Sequence, residues 1–384
     1  MRWRSLCVVV VLDGLSRAAL GQASFIGLGQ FPGFPQGTYV GGVSNDGQVV
    51  VGWAARTSPS SHSIGLVWRN GAWSALPEPL PNQPYHARAA SQDGSAIAGA
   101  TGWPWGSNNS ACAWIGNTIY SGGPGAPTIT VDIAHDGTLI AVANTWNPQT
   151  FIWNPAAGTT VDYNMTRFLA SRFAKQATTI VGSIEFLGSG GVLSLLDPST
   201  LVLTVLPWRI EYSRPAATNA DASQLVQGFW LYDTADPTTR REYPFLLYDI
   251  SNDGSVIIGQ LDYEPMLWTE AGGAISLRCA LGRFGISTVG WQFATDFSIR
   301  CSGDGLTIVG NGTNPLGKAE GWIAQFPFIP HAADFDASGF VDTDDYDAFV
   351  AEFNAGDWRA DFDASGFVDT DDFDAFVFAF ETGC

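Results

Sequence analysis

Lysine is almost missing from this chain: Lys175 and Lys318 are the only two in 384 residues. Charged side chains of both signs make up 14% of the sequence, and histidine occurs four times. So small a supply of cations excludes a surface that neutralises phosphates, and with it a nucleic-acid partner. No run is long and apolar enough to span a bilayer. The absence of any Cys-x-x-Cys removes zinc ribbons and thioredoxin-type redox sites. No Gly-x-Ser-x-Gly elbow, P-loop or dinucleotide fingerprint is present either. His62, His86, His135 and His331 share no motif, and His135 occupies a turn position. Glu78, Glu185, Glu211, Glu242, Glu264, Glu270 and Glu320 lie outside any motif. Arg240–Glu242 with Tyr243 is the nearest approach to the arginine and Tyr–Glu set of sialidase chemistry. No catalytic residue is assigned.

What the chain does have is turn and strand material. It is 46% hydrophobic, with 44 Gly and 15 Trp, which reads as many short strands joined by tight turns. The formal net charge of −19 is uneven: Asp334 to Glu381 holds fifteen acidic residues against one base, Arg359, and so accounts for −14. Arg2 and Arg4, the apolar Leu6–Leu12 and the small residues of "GQA" read as a secretory signal over residues 1–23, which implies a secreted or cell-surface protein. Four cysteines then remain: Cys112, Cys279, Cys301 and Cys384. An even set in an exported chain permits disulfides without fixing their pairing, and Cys279 with Cys301, nearest in sequence, is the favoured pair.

Between these ends the chain repeats itself. "VSNDGQVVVGW" from Val43, "ASQDGSAIAGA" from Ala90, "IAHDGTLIAVA" from Ile133, "ISNDGSVIIGQ" from Ile250 and "CSGDGLTIVGN" from Cys301 share a small residue, Asp-Gly and an apolar run. Two worn copies begin at Ser171 and Asn219, which makes seven. Gly supplies the positive φ of the turn, its Asp or Ser caps a backbone N–H, and a closing Gly suits a bulge or close backbone approach. Strong copies are followed by a strand with one Trp (Trp68, Trp114, Trp153, Trp268, Trp322), read as a packing wedge. After "PMLWTEAGG" the segment "AISLRC" reads as a third strand. Such a spacing predicts a mainly β fold, a seven-bladed β-propeller with six to eight blades as the range, over residues 24–330. The last unit lacks its final strand, and the start of the body reads as that strand, so Phe25–Leu28 should pair beside Trp322–Phe326. These units resemble the extracellular HAF-type repeats of secreted bacterial proteins, a resemblance that implies a propeller and no settled activity. They are also similar to the Asp-box of sialidase-type propellers, except that Gly here directly follows Asp.

The tail writes "DFDASGFVDTDD" twice, from Asp334 and from Asp361. Numbered one to twelve, positions 1, 3, 5, 9 and 12 are Asp334, Asp336, Ser338, Asp342 and Asp345, with Gly339 at 6 and the carbonyl of Phe340 at 7. The second copy supplies Asp361, Asp363, Ser365, Asp369 and Asp372, with Gly366 and Phe367. This spacing wraps one Ca²⁺ per loop in hard oxygen ligands, so two ions are expected. With no soft ligand nearby, zinc and copper are disfavoured. An apolar stripe at helical spacing follows each loop: Tyr346, Phe349, Val350, Phe353 and Phe373, Phe376, Val377, Phe380. No entering helix precedes the first loop. Residues 331–384 thus form a small α-helical module, and over Asp334–Phe380 it resembles a type I dockerin. That resemblance implies two Ca²⁺ and a pseudo-twofold surface for a cohesin-like partner, although the acidic Thr343–Asp344 and Thr370–Asp371 depart from the family's usual pair. The sequence thus points to an exported, non-catalytic propeller attached to a cohesin-like or cell-surface protein. The alternatives are a carbohydrate-active propeller enzyme with a carbohydrate ligand, delivered by its dockerin, and a surface-layer component.

Overall fold

The computed structural model describes residues 22–56, 63–102, 109–123, 128–144, 149–163, 168–185, 191–210, 217–236, 238–270, 272–294, 298–338, 340–362 and 365–382. The expected signal segment lies outside them, apart from Gln22 and Ala23, and so do His62, Glu211, Asp363 and Cys384.

The strands form six antiparallel sheets. The first comprises β2 (Gly37–Val43), β3 (Val50–Ala55), β4 (Ser63–Arg69) and β5 (Ala72–Ala75); the second β6 (Tyr85–Ala90), β7 (Ala96–Thr101), β8 (Ser110–Ile115) and β9 (Thr118–Ser121). The third holds β10 (Thr128–Ile133), β11 (Ile140–Asn144), β12 (Thr150–Asn154) and β13 (Thr159–Tyr163), and the fourth β14 (Phe168–Phe173), β15 (Ile180–Glu185), β16 (Gly191–Asp197) and β17 (Val202–Ile210). The fifth runs β18 (Ala217–Thr218), β19 (Gln224–Asp233), β20 (Arg240–Ile250), β21 (Val256–Leu261), β22 (Glu264–Thr269) and β23 (Gly273–Ser276). The sixth joins β1 (Ser24–Gly27) to β27 (Ala319–Gln325), β26 (Thr307–Thr313), β24 (Gln292–Phe293) and β25 (Arg300–Cys301).

Six sheets is the low end of the expected range, and seven separate blades are not found. The cause is β20. Its first residues pair with Trp230–Tyr232 of β19, and its last ones pair with Ile257–Gln260 of β21. One eleven-residue strand therefore closes one repeat and opens the next. The ring closes as the sequence predicts: Phe25 lies opposite Ala324, and Gly27 opposite Trp322.

The repeat chemistry recurs from sheet to sheet. Ser44 Oγ accepts from Val49 N at 3.0 Å and donates to Asp46 Oδ1, which also accepts from Gln48 N at 3.0 Å. Ser91 with Asp93, Ser251 with Asp253 and Ser302 with Asp304 repeat the arrangement. These aspartates hold turns, which is why the pattern recurs. The closing Gly has a steric reason: a Cβ on Gly52 would lie 1.9 Å from the Tyr39 carbonyl oxygen, and one on Gly259 1.9 Å from that of Leu246. Trp68, Trp114, Trp153, Trp268 and Trp322 are all buried in the apolar clusters.

Two expectations are corrected. "AISLRC" is not all strand. β23 stops at Ser276, whose Oγ accepts from Cys279 N at 3.1 Å and caps α1 (Leu277–Arg283), where Leu, Ala and Arg favour helix. Nor do Cys279 and Cys301 pair. Cys112, Cys279 and Cys301 are free and buried; Cys279 sits on α1 against the Asp361 carbonyl, whereas Cys301 faces Lys175.

The tail folds as α2 (Thr343–Ala355) and α3 (Thr370–Thr382), each led in by its acidic loop. Phe349 and Phe376, equivalent positions of the two copies, stack at 4.0 Å between centroids with 7° between planes. Around them Tyr346 meets Phe380 at 5.9 Å and Phe353 meets Phe373 at 5.7 Å, the same contact made twice about a pseudo-twofold. The tail rests on α1. Arg283 is buried with its guanidinium 3.7 Å over the Phe335 ring and donates to the Ala332 carbonyl at 3.3 Å.

Candidate functional site: an axial channel and an acidic loop pair

The inner strands surround one channel, and the turns that follow them are tied to their neighbours around it. Asn252 N donates to Gly303 O, Gly303 N to Asn45 O, Asp46 N to Gln92 O, Gln92 N to His135 O, Lys175 N to Asn219 O and Ala220 N to Asn252 O, at 2.6–3.2 Å. All seven repeat copies contribute wall, and the open space is about 90 Å³.

One repeat position sets the character of the wall. Two residues before each turn stand Gly42, Ala89, Asp132, Arg172, Ala217, Asp249 and Arg300, and all seven line the channel. In β2, β6, β10, β14 and β20 the pairing register shifts immediately before this residue. A bulge there re-aims side chains, and here it turns them toward the axis. Arg88 occupies the bulge of β6, and Lys175 comes from the turn after β14. Among the described residues the channel therefore gathers four cations and two carboxylates, in a chain whose overall balance is strongly acidic.

These charges are unequally satisfied. Asp249 is buried; its Oδ1 lies 3.3 Å from Lys175 Nζ and accepts from Ile250 N, and its Oδ2 accepts from Cys301 N at 3.1 Å. Burial alone would raise its pKa, but Lys175, Arg300 and Arg172 outweigh that and hold it below the ordinary carboxylate value. Lys175 is pushed up despite its burial, chiefly by Asp249. Asp132 goes the other way: burial raises it, only partly offset by Arg172 and Arg300, and its Oδ2 accepts from Phe173 N at 2.9 Å. Arg88 has no carboxylate within pairing distance among the described residues, its Nε is buried without a hydrogen-bond partner, and burial lowers its pKa. The buried Nδ1 of His135 also lacks a hydrogen-bond partner.

The other candidate is the tail. One oxygen each from Asp334, Asp336 and Asp345 lie within 4.8 Å of one another. Asp345 is fully buried; its Oδ1 accepts from Asp336 N at 3.0 Å and its Oδ2 from Asp342 N at 2.8 Å, so the loop is laced around the carboxylate at position 12. Asp372 likewise accepts from two backbone N–H groups, of Phe362 and, at 2.8 Å, of Asp369. Ser338 Oγ sits 3.3 Å from the Phe340 carbonyl and Ser365 Oγ 3.3 Å from that of Phe367, while both rings point to solvent. Asp342 caps α2, and Asp369 Oδ1 accepts from Asp371 N. Asp361 Oδ2 accepts from Gly366 N at 2.9 Å. The donor set is all oxygen and hard, and the first loop is gathered on one point, which fits Ca²⁺. Asp363 lies outside the described residues.

Other candidate acids and histidines are dispersed in structural contacts. Arg241 pairs with Glu270 at 2.7 Å and lies over the rings of Tyr243 and Trp268, while Arg240 lies over Trp230, so the two arginines of "RRE" go to separate partners. Glu264 pairs with Arg278 at 2.9 Å, and Glu320 Oε1 accepts from Gly29 N at 2.7 Å. His86 is bonded to Ser63 Oγ at 2.8 Å, and His331 Nδ1 accepts from Ala333 N. The sequence reading missed the channel charges, yet their signal was available. Aligning the seven copies two residues before the turn gives Gly, Ala, Asp, Arg, Ala, Asp, Arg, a column too polar for a strand buried on both faces.

No protein-family model matches this chain, and no curated protein is similar to it. Among solved structures it is similar to the β-propeller domain of the Trilobed protease from Pyrococcus furiosus, with a TM-score of 0.51, 9% identity, and coverage of 79% of this chain and 98% of that one. It is also similar to oligogalacturonate lyase from Vibrio parahaemolyticus (TM-score 0.49, 10% identity, 79% and 97% covered) and to the acylaminoacyl peptidase of Pyrococcus horikoshii (0.49, 9%, 76% and 51%). The fold is a β-propeller. The Trilobed protease domain has an open velcro topology, whereas here β1 pairs with β27 and closes the ring. No helix among the described residues is long and apolar enough to cross a membrane.

Proposed function

We propose that this chain is an exported, non-catalytic propeller whose C-terminal module binds two Ca²⁺ and attaches it to another extracellular protein. The observation that carries the reading is the convergence of Asp334, Asp336 and Asp345 on one point beneath a pseudo-twofold helix pair. Like-charged carboxylates so close repel one another, and a divalent cation offsets that repulsion with charge and oxygen coordination. Asp334, Asp336, Ser338, the Phe340 carbonyl, Asp342 and Asp345 would hold one ion, and Asp361, Asp363, Ser365, the Phe367 carbonyl, Asp369 and Asp372 the other. The dockerin-like symmetry supports a cohesin-like or cell-surface partner. Capture from the source's extracellular fraction tests this: a partner retained in Ca²⁺, released by EGTA and lost in the Asp345→Ala/Asp372→Ala variant is expected. Retention that ignores all three contradicts the attachment role.

One observation favours a second reading, a carbohydrate-active enzyme. Asp132 and Asp249 share the channel with their pKa values displaced in opposite directions, as a general acid and its partner would be. Against it, both oxygens of Asp249 are engaged by the wall, and about 90 Å³ falls short of the roughly 300–1,000 Å³ typical of ligand sites. Full-chain assays on polysaccharides should show no turnover that Asp132→Asn abolishes.

A further inference from the structure

We infer that the propeller makes the two calcium loops unequal: the second loop fills first, and the first holds its ion more loosely because Arg283 of α1 stands over it. Such an order rests on the calcium-binding role proposed above. The two loops are written in the same twelve residues, so nothing in their own sequence tells them apart. Their packing is equivalent too. Phe335 meets Phe349 at 5.4 Å and Phe376 at 6.0 Å, while Phe362 meets Phe376 at 5.5 Å and Phe349 at 6.2 Å, all edge to face. A difference between the sites must then come from outside the copied residues.

The body presents a different charge to each loop. Arg283 is buried, its guanidinium lies 3.7 Å over the ring of Phe335 in the first loop, and it donates at 3.3 Å to the carbonyl of Ala332, just before Asp334. No carboxylate among the described residues lies within pairing distance of it, and its Nε has no hydrogen-bond partner. Burial lowers its pKa to about 10, with Cys279, Asp334 and Asp345 opposing that, so it stays charged at neutral pH. Asp334 and Asp345, the first and last ligands of this loop, are themselves buried. A fixed positive charge beside them opposes a second cation, and burial leaves it poorly screened. The second loop has no such neighbour: among the described residues no cation lies over Phe362. Arg359, just before Asp361, is taken up by Glu352 at 2.6 Å and Asp357 at 3.1 Å, and Arg278 by Glu264 at 2.9 Å. Beside Asp361, Ser365 and Gly366 a groove of about 500 Å³ opens between body and tail, and its described wall adds Asp262 and Glu264 against Arg278 alone. Excess negative charge there favours the ion in the second loop.

Titration of the full EGTA-treated chain with Ca²⁺ at constant ionic strength, followed by calorimetry, reads the order. Two steps are expected, separated by about ten-fold or more in affinity. Asp336→Ala should delete the looser step and Asp363→Ala the tighter one. Arg283→Met should tighten the looser site by about ten-fold and close most of the gap, while Arg283→Lys, which keeps the charge, should leave two steps. Two ions bound with one affinity, a tighter step that Asp336→Ala deletes, or an Arg283→Met chain with the wild-type gap overturns the inference and leaves calcium binding in place. A chain that binds no Ca²⁺ overturns the calcium-binding role, and the order of filling with it. The two-step shape and the Asp336→Ala assignment need no change at Arg283, so a Met variant that fails to fold leaves the inference open to refutation.

Discussion

The channel and the tail are both built by repetition, and they use it in opposite ways. In the tail, twelve residues are copied unchanged, and Phe349 meets its own counterpart Phe376 on the pseudo-twofold. In the body the turn is copied but the residue two places before it is not: Gly, Ala, Asp, Arg, Ala, Asp and Arg share one structural position. Repetition with identity makes a symmetric module that collects like charge. Repetition with variation makes a scaffold in which one column is free to mix signs. The tail concentrates negative charge, while the described lining of the channel in the same acidic chain mixes four cations with two carboxylates.

That contrast can be broken most sharply in the tail core. Phe349→Ala should cost the module about 3–5 kcal/mol, and Phe376→Ala the same, because the two rings bury each other. Chemical unfolding followed by helical circular dichroism reads this, and a double variant should lose less than the sum of the singles. If one ring mattered far more than its mate, the twofold description would be wrong.

Asp345→Ala should come next, at about 2–4 kcal/mol. Two backbone N–H groups, of Asp336 and Asp342, lose their acceptor before any metal is considered. Asp372→Ala should match it. In the body, by contrast, Asp46→Ala removes one turn acceptor of six and should cost no more than about 1.5 kcal/mol.

Acid separates the two regions further. Burial, helped by Arg88, pushes the His86 pKa down to about 3. The unfolded chain takes up this proton below about 6.5 and the folded one does not, so the stability is intact above that pH and is lost as pH falls toward 3, at about 1.4 kcal/mol per unit. His86→Gln should remove this slope from the propeller transition, measured by urea unfolding.

The smallest effect lies in a worn turn. Ala222 has φ +64° where five other copies place Gly, so Ala222→Gly should stabilise the body by about 1 kcal/mol in thermal unfolding.

What could be read in the sequence follows the same division. The helices behind the two acidic loops were legible because local spacing encodes them, and the pairing of Phe25 beside Ala324 because the last unit lacks a strand that the start of the body supplies. The burial of the repeated Trp residues was legible from their spacing. The merging of two repeats through β20 was not, since it depends on whether β19 and β21 both pair with one continuous strand, which no local signal records. α1 was missed because "AISLRC" contains a strand end and a capped helix start with no Gly or Pro between them. The channel escaped because its charges lie far apart in sequence and meet only when the ring closes.

The account rests on the loops being ordered by metal, and calorimetric titration of the full chain with Ca²⁺ after EGTA treatment tests it most directly. Two ions per chain, accompanied by a gain in α2 and α3 helicity, is the predicted result. No heat above dilution, with the helical signal identical in Ca²⁺ and EGTA, would contradict it.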